Sequence, residues 1–260
     1  KMVGYSFSHQ FDDTFTVRQN LRYADVHTLY RSVYGNGYVA PGYMNRAYVR
    51  SDEHLNTFTV DTQLQSDFAT GAVSHTLLTG VDYYDDDAKR NQNYANTTPR
   101  PTTTVGTPDN GVGVADGRAP VQWNTFQARN VGLYFQDTIS LTDTLKLVAG
   151  LRYDDFKASY RNPNGSLSSD RSDSLFSPRA GLIFQPDALS SYYLSYGTSY
   201  NTSGDTYQYG ISLSNGTNRA ANTPPEKSRN IEIGSKFELF ERRALLGVAM
   251  FYSEKYNERN

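Results

Sequence analysis

No cysteine occurs in the 260 residues, so disulfide scaffolds, zinc ribbons, thiolate metal centres and cysteine nucleophiles are excluded together. Long hydrophobic runs are also missing. The longest, Ala244 to Tyr252, is about half of the ~20 residues that a membrane-crossing helix needs. Neither sign of charge dominates: 25 Lys and Arg face 27 Asp and Glu, a net charge of −2, without the basic surface that phosphate backbones require. Nucleic acid is therefore not an expected partner. The Gly-x-Ser-x-Gly elbow, a phosphate-cradling Gly-rich loop and His-Glu-x-x-His are all absent, so nothing points to an enzyme or a cofactor. The four His, at 9, 27, 54 and 75, are scattered without the spacing of a helical zinc site, and no metal site is expected.

What is abundant is strand and turn material. Twenty-one Tyr and thirteen Phe stand beside twenty Gly and many Thr, Ser, Asn and Asp, which favours strands joined by polar turns. The periodicity is two. Phe15, Val17, Leu21 and Tyr23 alternate with Thr16, Arg18, Asn20 and Arg22. The same pattern returns in Leu145 to Asp154 and in Asn230 to Leu239, and Leu246, Val248, Met250 and Tyr252 form another apolar face. The mean hydropathy of −0.64 does not exclude a membrane, because every second residue of a barrel strand points into a polar lumen.

The alternation predicts strands over 2–11, 14–32, 44–66, 75–90, 125–140, 145–160, 175–185, 190–202, 228–239 and 244–257. Their connections alternate strictly. Short turns at Asp12-Asp13, 70–74, 141–144, 186–189 and 240–242 are interleaved with long polar loops near 32–43, 91–124, 161–174 and 201–227. An outer-membrane barrel has this asymmetry, with tight periplasmic turns and long outer loops, whereas a β-sandwich has no reason for it. The predicted fold class is all-β, a transmembrane antiparallel β-barrel of which this chain supplies about ten strands, lying in outer-membrane lipid. Tyr192, Tyr193, Tyr196 and Tyr200, with Tyr153, Tyr160, Tyr252 and Tyr256, fit an aromatic girdle where hydrocarbon meets water.

Asn130 through Gly132-Leu133-Tyr134-Phe135-Gln136-Asp137, and Leu147-Val148-Ala149-Gly150-Leu151-Arg152-Tyr153-Asp154, resemble the middle-barrel signature of TonB-dependent siderophore receptors. So do Phe176-Ser177-Pro178-Arg179-Ala180-Gly181, Ser191-Tyr192-Tyr193-Leu194-Ser195-Tyr196-Gly197, Pro225-Glu226-Lys227-Ser228 and Ile231-Glu232-Ile233-Gly234. Within the family the chain looks most like the catecholate-type receptors, with hydroxamate-type receptors close behind. The resemblance implies a barrel of twenty-two strands around a plug, and TonB-coupled import of a ferric siderophore captured by outer loops, with iron as cargo rather than cofactor. Residues 1–260 would then be a partial receptor barrel domain. Lys1 to Tyr5 carry no apolar signal core, and export signal, TonB box and plug are expected outside these residues. A passive porin-like or adhesin barrel stays open as an alternative, as does a secreted carbohydrate-binding β protein.

A receptor for a bulky, often anionic and aromatic ligand needs donors, rings and cations on its outer loops. The candidates are Arg100, Arg118, Gln122 and Trp123 in one loop, and Tyr207, Gln208, Tyr209 and Arg219 in another. Alternation assigns Arg18, Arg22, Arg152, Asp154, Arg179, Glu232 and Lys236 to the lumen, where pairing across strands competes with contact to a plug or ligand. Asp82, Asp85, Asp86 and Asp87 are expected to form a solvated acidic strand end.

Overall fold

The computed structural model describes residues 1–95, 102–109, 123–161, 168–201 and 224–257. Eleven strands lie among them: β1 Met2–Gln10, β2 Phe15–Ala40, β3 Tyr43–Thr70, β4 Val73–Ala95, β5 Thr102–Thr104, β6 Asn124–Ser140, β7 Leu145–Arg161, β8 Ser169–Phe184, β9 Ser190–Asn201, β10 Glu226–Leu239 and β11 Ala244–Tyr256. They form one antiparallel meander in the order β1-β2-β3-β4-β6-β7-β8-β9-β10-β11, with β5 paired to β3 off the main path. Apart from β5, each strand pairs with the next because a tight turn or a loop simply folds it back.

The tight turns carry their own chemistry. Asp12 Oδ1 accepts the amides of Thr14 and Phe15 at 2.8 Å, Thr142 Oγ1 accepts the amide of Leu145 at 3.0 Å, and Asp187 Oδ1 accepts that of Leu189 at 2.8 Å. Each is a side chain substituting for a backbone acceptor in a turn. The β10–β11 turn is built differently: Phe240, Glu241 and Arg242 all adopt positive φ, at 52°, 57° and 69°.

The long connections differ from expectation. Residues 32–43 are not a loop: β2 runs to Ala40, β3 starts at Tyr43, and Gly42, with φ 78°, lets the chain reverse at once. Tyr34, Tyr38 and Val39 supply the strand propensity that outweighs the neighbouring glycines. β4 reaches Ala95 and β5 hydrogen-bonds to β3 at Tyr43 to Asn45, so part of 91–124 is also sheet. β7 ends at Arg161 and β8 begins at Ser169, which shortens the 161–174 loop. Residues 96–101, 110–122, 162–167 and 202–223 lie outside the described residues.

The register sorts the side chains into two faces. One row runs Phe68, His75, Ile139, Leu147, Leu182, Leu194, Ile233 and Met250 across eight strands. On this face Leu133 is 52 % exposed, Ile233 59 % and Met250 75 %, which is the wrong way round for a protein in water and the right way for a wall in lipid. Aromatic rings border the apolar band on both sides. Tyr153 meets Phe176 at 4.9 Å and Phe58 meets Tyr83 at 6.3 Å on one border. Phe68 stacks on His75 at 4.8 Å, and Tyr192 meets Phe184 at 6.3 Å and Phe237 at 5.7 Å on the other. On one strand the borders stand as far apart as Phe15 from Tyr23 or Phe184 from Phe176, close to the ~9–11 residues a tilted strand needs to cross the hydrocarbon. β2, β3 and β4 continue well past the upper border, which carries them beyond the membrane.

Candidate functional site

The face opposite the apolar band is the inner wall. The ladder puts Arg18, Arg22, Arg152, Asp154, Arg179, Glu232 and Lys236 on it, with Asp61, Asp82, Asn130, Tyr134 and Tyr193. Its centre is Arg152. The guanidinium donates from Nη1 and Nη2 to Asp82 at 2.5 and 3.0 Å, and from Nε and Nη2 to Asp154 at 2.9 and 2.5 Å. Asn130 Nδ2 donates to Asp154 at 2.7 Å, and Tyr134, 5.7 Å beneath the guanidinium, donates its hydroxyl to Asp61 at 2.6 Å. This chain of charge-assisted bonds spans β3, β4, β6 and β7, and it uses both oxygens of each carboxylate that a bidentate guanidinium prefers.

Two glycines make room for it. A Cβ at Gly132 would stand 2.6 Å from Asp82 Oδ2 and 2.7 Å from Arg152 Cζ, and one at Gly80 would run into the Tyr134 ring, 2.8 Å from Cε2 and closer still to Cζ. A parallel arrangement stands further round the wall: Tyr193 lies across Gly234, donates to Glu232 at 2.5 Å and sits 5.8 Å from the Lys236 ammonium. Flat residues laid over lumen-facing glycines keep the wall thin and leave space inside.

Between these clusters Asn130, Arg152, Asp154, Ser177, Arg179, Ser199 and Tyr200 line a recess of about 430 Å³. Buried Asn130 keeps an Oδ1 without a hydrogen-bond partner among the described residues, a free acceptor in an otherwise satisfied network. Higher on the same wall the character changes. Ala88, Phe126, Ala128, Phe156 and Ala158 form a buried cluster with Leu55 and Tyr84 against it, and burial pushes the nearby Tyr160 phenol up, with Arg90 opposing. Sequence patterning missed this apolar zone, because its members alternate with polar residues as any wall strand does.

One expectation needs correction. The acidic run is not one solvated strand end: the pleat sends Asp82 inward to Arg152, while Asp85 accepts from Tyr83 and Asp87 from Gln127 on the opposite face. Trp123, one of the loop candidates, has its ring 5.5 Å from that of His54 on the outward face. The remaining loop candidates, Arg100, Arg118, Gln122, Tyr207, Gln208, Tyr209 and Arg219, lie outside the described residues. His27 and His54, remote in sequence, stand directly opposite one another on β2 and β3.

Residues 1–259 match the family described as TonB dependent receptor-like, beta-barrel. The chain belongs to the TonB-dependent receptor family. Among curated relatives it is 33 % identical over 279 residues to the ferrichrome outer membrane transporter/phage receptor of Escherichia coli K12, covering 99 % of this chain and 36 % of that protein. The ferrioxamine receptor of Yersinia enterocolitica is 33 % identical over 210 residues, 75 % of this chain and 28 % of its own length. The chain thus spans about a third of the length of these relatives. Among solved structures, the closed form of the ferric-catecholate import receptor Fiu from E. coli K12 superposes with a TM-score of 0.85 at 22 % identity, over 99 % of this chain and 40 % of that one; this likeness shows the fold. TonB-dependent receptors are outer-membrane β-barrels, which accounts for the apolar outer band and for the charged inner wall.

Proposed function

We propose that this chain forms part of the wall of a receptor that binds a ferric siderophore at its outer face and imports it by TonB-coupled transport. The observation that carries the reading is the end-to-end sequence likeness to a ferrichrome transporter, at 33 % over 99 % of the chain. The inner wall supports it: a continuous polar lining with a recess beside Arg152 and Arg179 suits a lumen that holds a polar plug and passes a large hydrophilic cargo, since carboxylate and guanidinium groups in a dry interior would be costly. In this reading Arg152, Asp154, Glu232 and Lys236 hold the wall and meet the plug, while Arg18, Arg22 and Arg179 line the path. Capture falls to the outer loops, with Arg100, Arg118, Gln122, Trp123, Tyr207, Gln208, Tyr209 and Arg219 as the residues to test. Iron enters as cargo; TonB acts through a receptor segment other than these strands.

Titration of the detergent-solubilised receptor with ferric ferrichrome, ferric ferrioxamine B and a ferric catecholate tests this directly. Saturable binding of one of the three is expected, weakened by substitution of Arg219 or Tyr207 with Ala. Absence of binding to every ferric complex would overturn it in favour of a passive barrel.

A further inference from the structure

On the outward face of β2 and β3, two rows above Tyr23 and Phe58 of the upper aromatic border, three side chains converge. His27 on β2 pairs in register with His54 on β3, and their rings stack at 4.1 Å with 9° between planes. Asp52, two residues from His54 on the same face, places Oδ1 2.8 Å from His27 Nε2 and 3.5 Å from His54 Nε2. One ligand atom from each residue lies within 4.8 Å of the other two. We propose that His27, Asp52 and His54 form a binding site for a divalent transition-metal ion of the Zn²⁺ and Cu²⁺ class, on the outer wall just above the membrane.

The donor set selects the ion. Two imidazoles and one carboxylate suit Zn²⁺, Cu²⁺ or Ni²⁺, while Ca²⁺ and Mg²⁺ require a shell of oxygens. The distances are compatible. Tetrahedral Zn²⁺ with bonds of ~2.0–2.1 Å separates its ligand atoms by about 3.3 Å. His54 is already close to that distance from Asp52, and His27 has only to exchange a hydrogen bond for a shared ion. Both histidines project from a regular ladder with directly opposed Cβ atoms, so small side-chain rotations bring the nitrogens to bonding range without moving backbone. The three side chains are 54 %, 24 % and 45 % exposed for His27, Asp52 and His54, which leaves an entry path and an open position for water. Lys89, opposite His54 on β4, is exposed and can turn to solvent when a cation arrives.

This site faces away from the lumen and does not depend on the siderophore reading. Trp123 provides its reporter, because its ring is 5.5 Å from His54 and a bound paramagnetic ion quenches a neighbouring indole. The experiment is a Cu²⁺ titration of the detergent-solubilised receptor followed by Trp emission, with Zn²⁺ as competitor. Saturation at one equivalent per receptor is expected, reversed by Zn²⁺, with loss of this component in Trp123→Phe and in the His27→Gln/His54→Gln double variant. The circular dichroism of both variants should remain that of the folded barrel. An electron paramagnetic resonance spectrum of the Cu²⁺ form should show coupling to two imidazole nitrogens. Unchanged stoichiometry and midpoint in the folded double variant, or quenching that never saturates in the parent, would overturn the proposal.

Discussion

Replacing Gly132 with Ala puts a methyl group where Arg152 and Asp82 meet. The added Cβ would stand 2.6 Å from Asp82 Oδ2 and 2.7 Å from Arg152 Cζ, well inside van der Waals contact, so the guanidinium must retreat by roughly an ångström. That retreat stretches the bonds of 2.5 and 3.0 Å to Asp82 past useful length. Hydrogen bonds to charged groups contribute about 1.5–3 kcal/mol each when well shielded. The Arg152 and Asp82 side chains are 32 % and 20 % exposed, so screening reduces the pair and a total loss of about 2 kcal/mol is expected. Urea unfolding of the receptor in lipid vesicles measures it. The sharper readout is the double-mutant cycle with Arg152→Met: with the guanidinium gone, Gly132→Ala should cost less than about 0.5 kcal/mol, leaving a coupling of about 1.5 kcal/mol. Equal cost of Gly132→Ala in both backgrounds would show that the glycine answers to the backbone and not to Arg152, and would refute the reasoning.

Leu133→Arg, on the lipid-facing face, should destabilise the barrel by about 2–4 kcal/mol in vesicle unfolding, whereas Ser177→Arg on the inner wall should cost far less. Glu241→Gly relieves the middle of three consecutive positive-φ residues and should raise the unfolding midpoint by the equivalent of about 0.5–1 kcal/mol. The raised Tyr160 phenol makes the folded state hold its proton longer than the unfolded chain does. Stability should therefore fall as pH climbs past the ordinary phenol value near 10, by up to about 1.4 kcal/mol per pH unit, and Tyr160→Phe should remove that part of the slope in urea midpoints taken across the range.

Much of the wall was legible because period two is unambiguous where one face meets lipid: Leu145 to Asp154 and Asn230 to Leu239 fix their own faces without any partner. The residues that assemble across strands were not legible, since register cannot be counted from a turn. Counting back from the Pro41-Gly42 reversal would pair His27 with Asn56. The irregularities between Gly35 and Ala40 shift the ladder by two residues and bring His54 there instead. Asp82 was hidden differently. Its neighbours Asp85, Asp86 and Asp87 suggest an acidic surface, and only the pleat separates the one carboxylate that Arg152 holds. The 32–43 segment read as loop because of Gly35, Gly37, Pro41 and Gly42, yet the flanking Tyr and Val residues pair across the hairpin and carry the sheet out beyond the membrane.

The central claim is that this wall belongs to an energised importer of ferric siderophore, and uptake of radiolabelled iron by cells making the receptor tests it most directly. Supplied as ferric ferrichrome, ferric ferrioxamine B or a ferric catecholate, iron from one of the three should accumulate against its gradient in cells that possess TonB and should stay at the cell surface in cells that lack it. Accumulation at the same rate without TonB, or none from any of the three, would contradict the account.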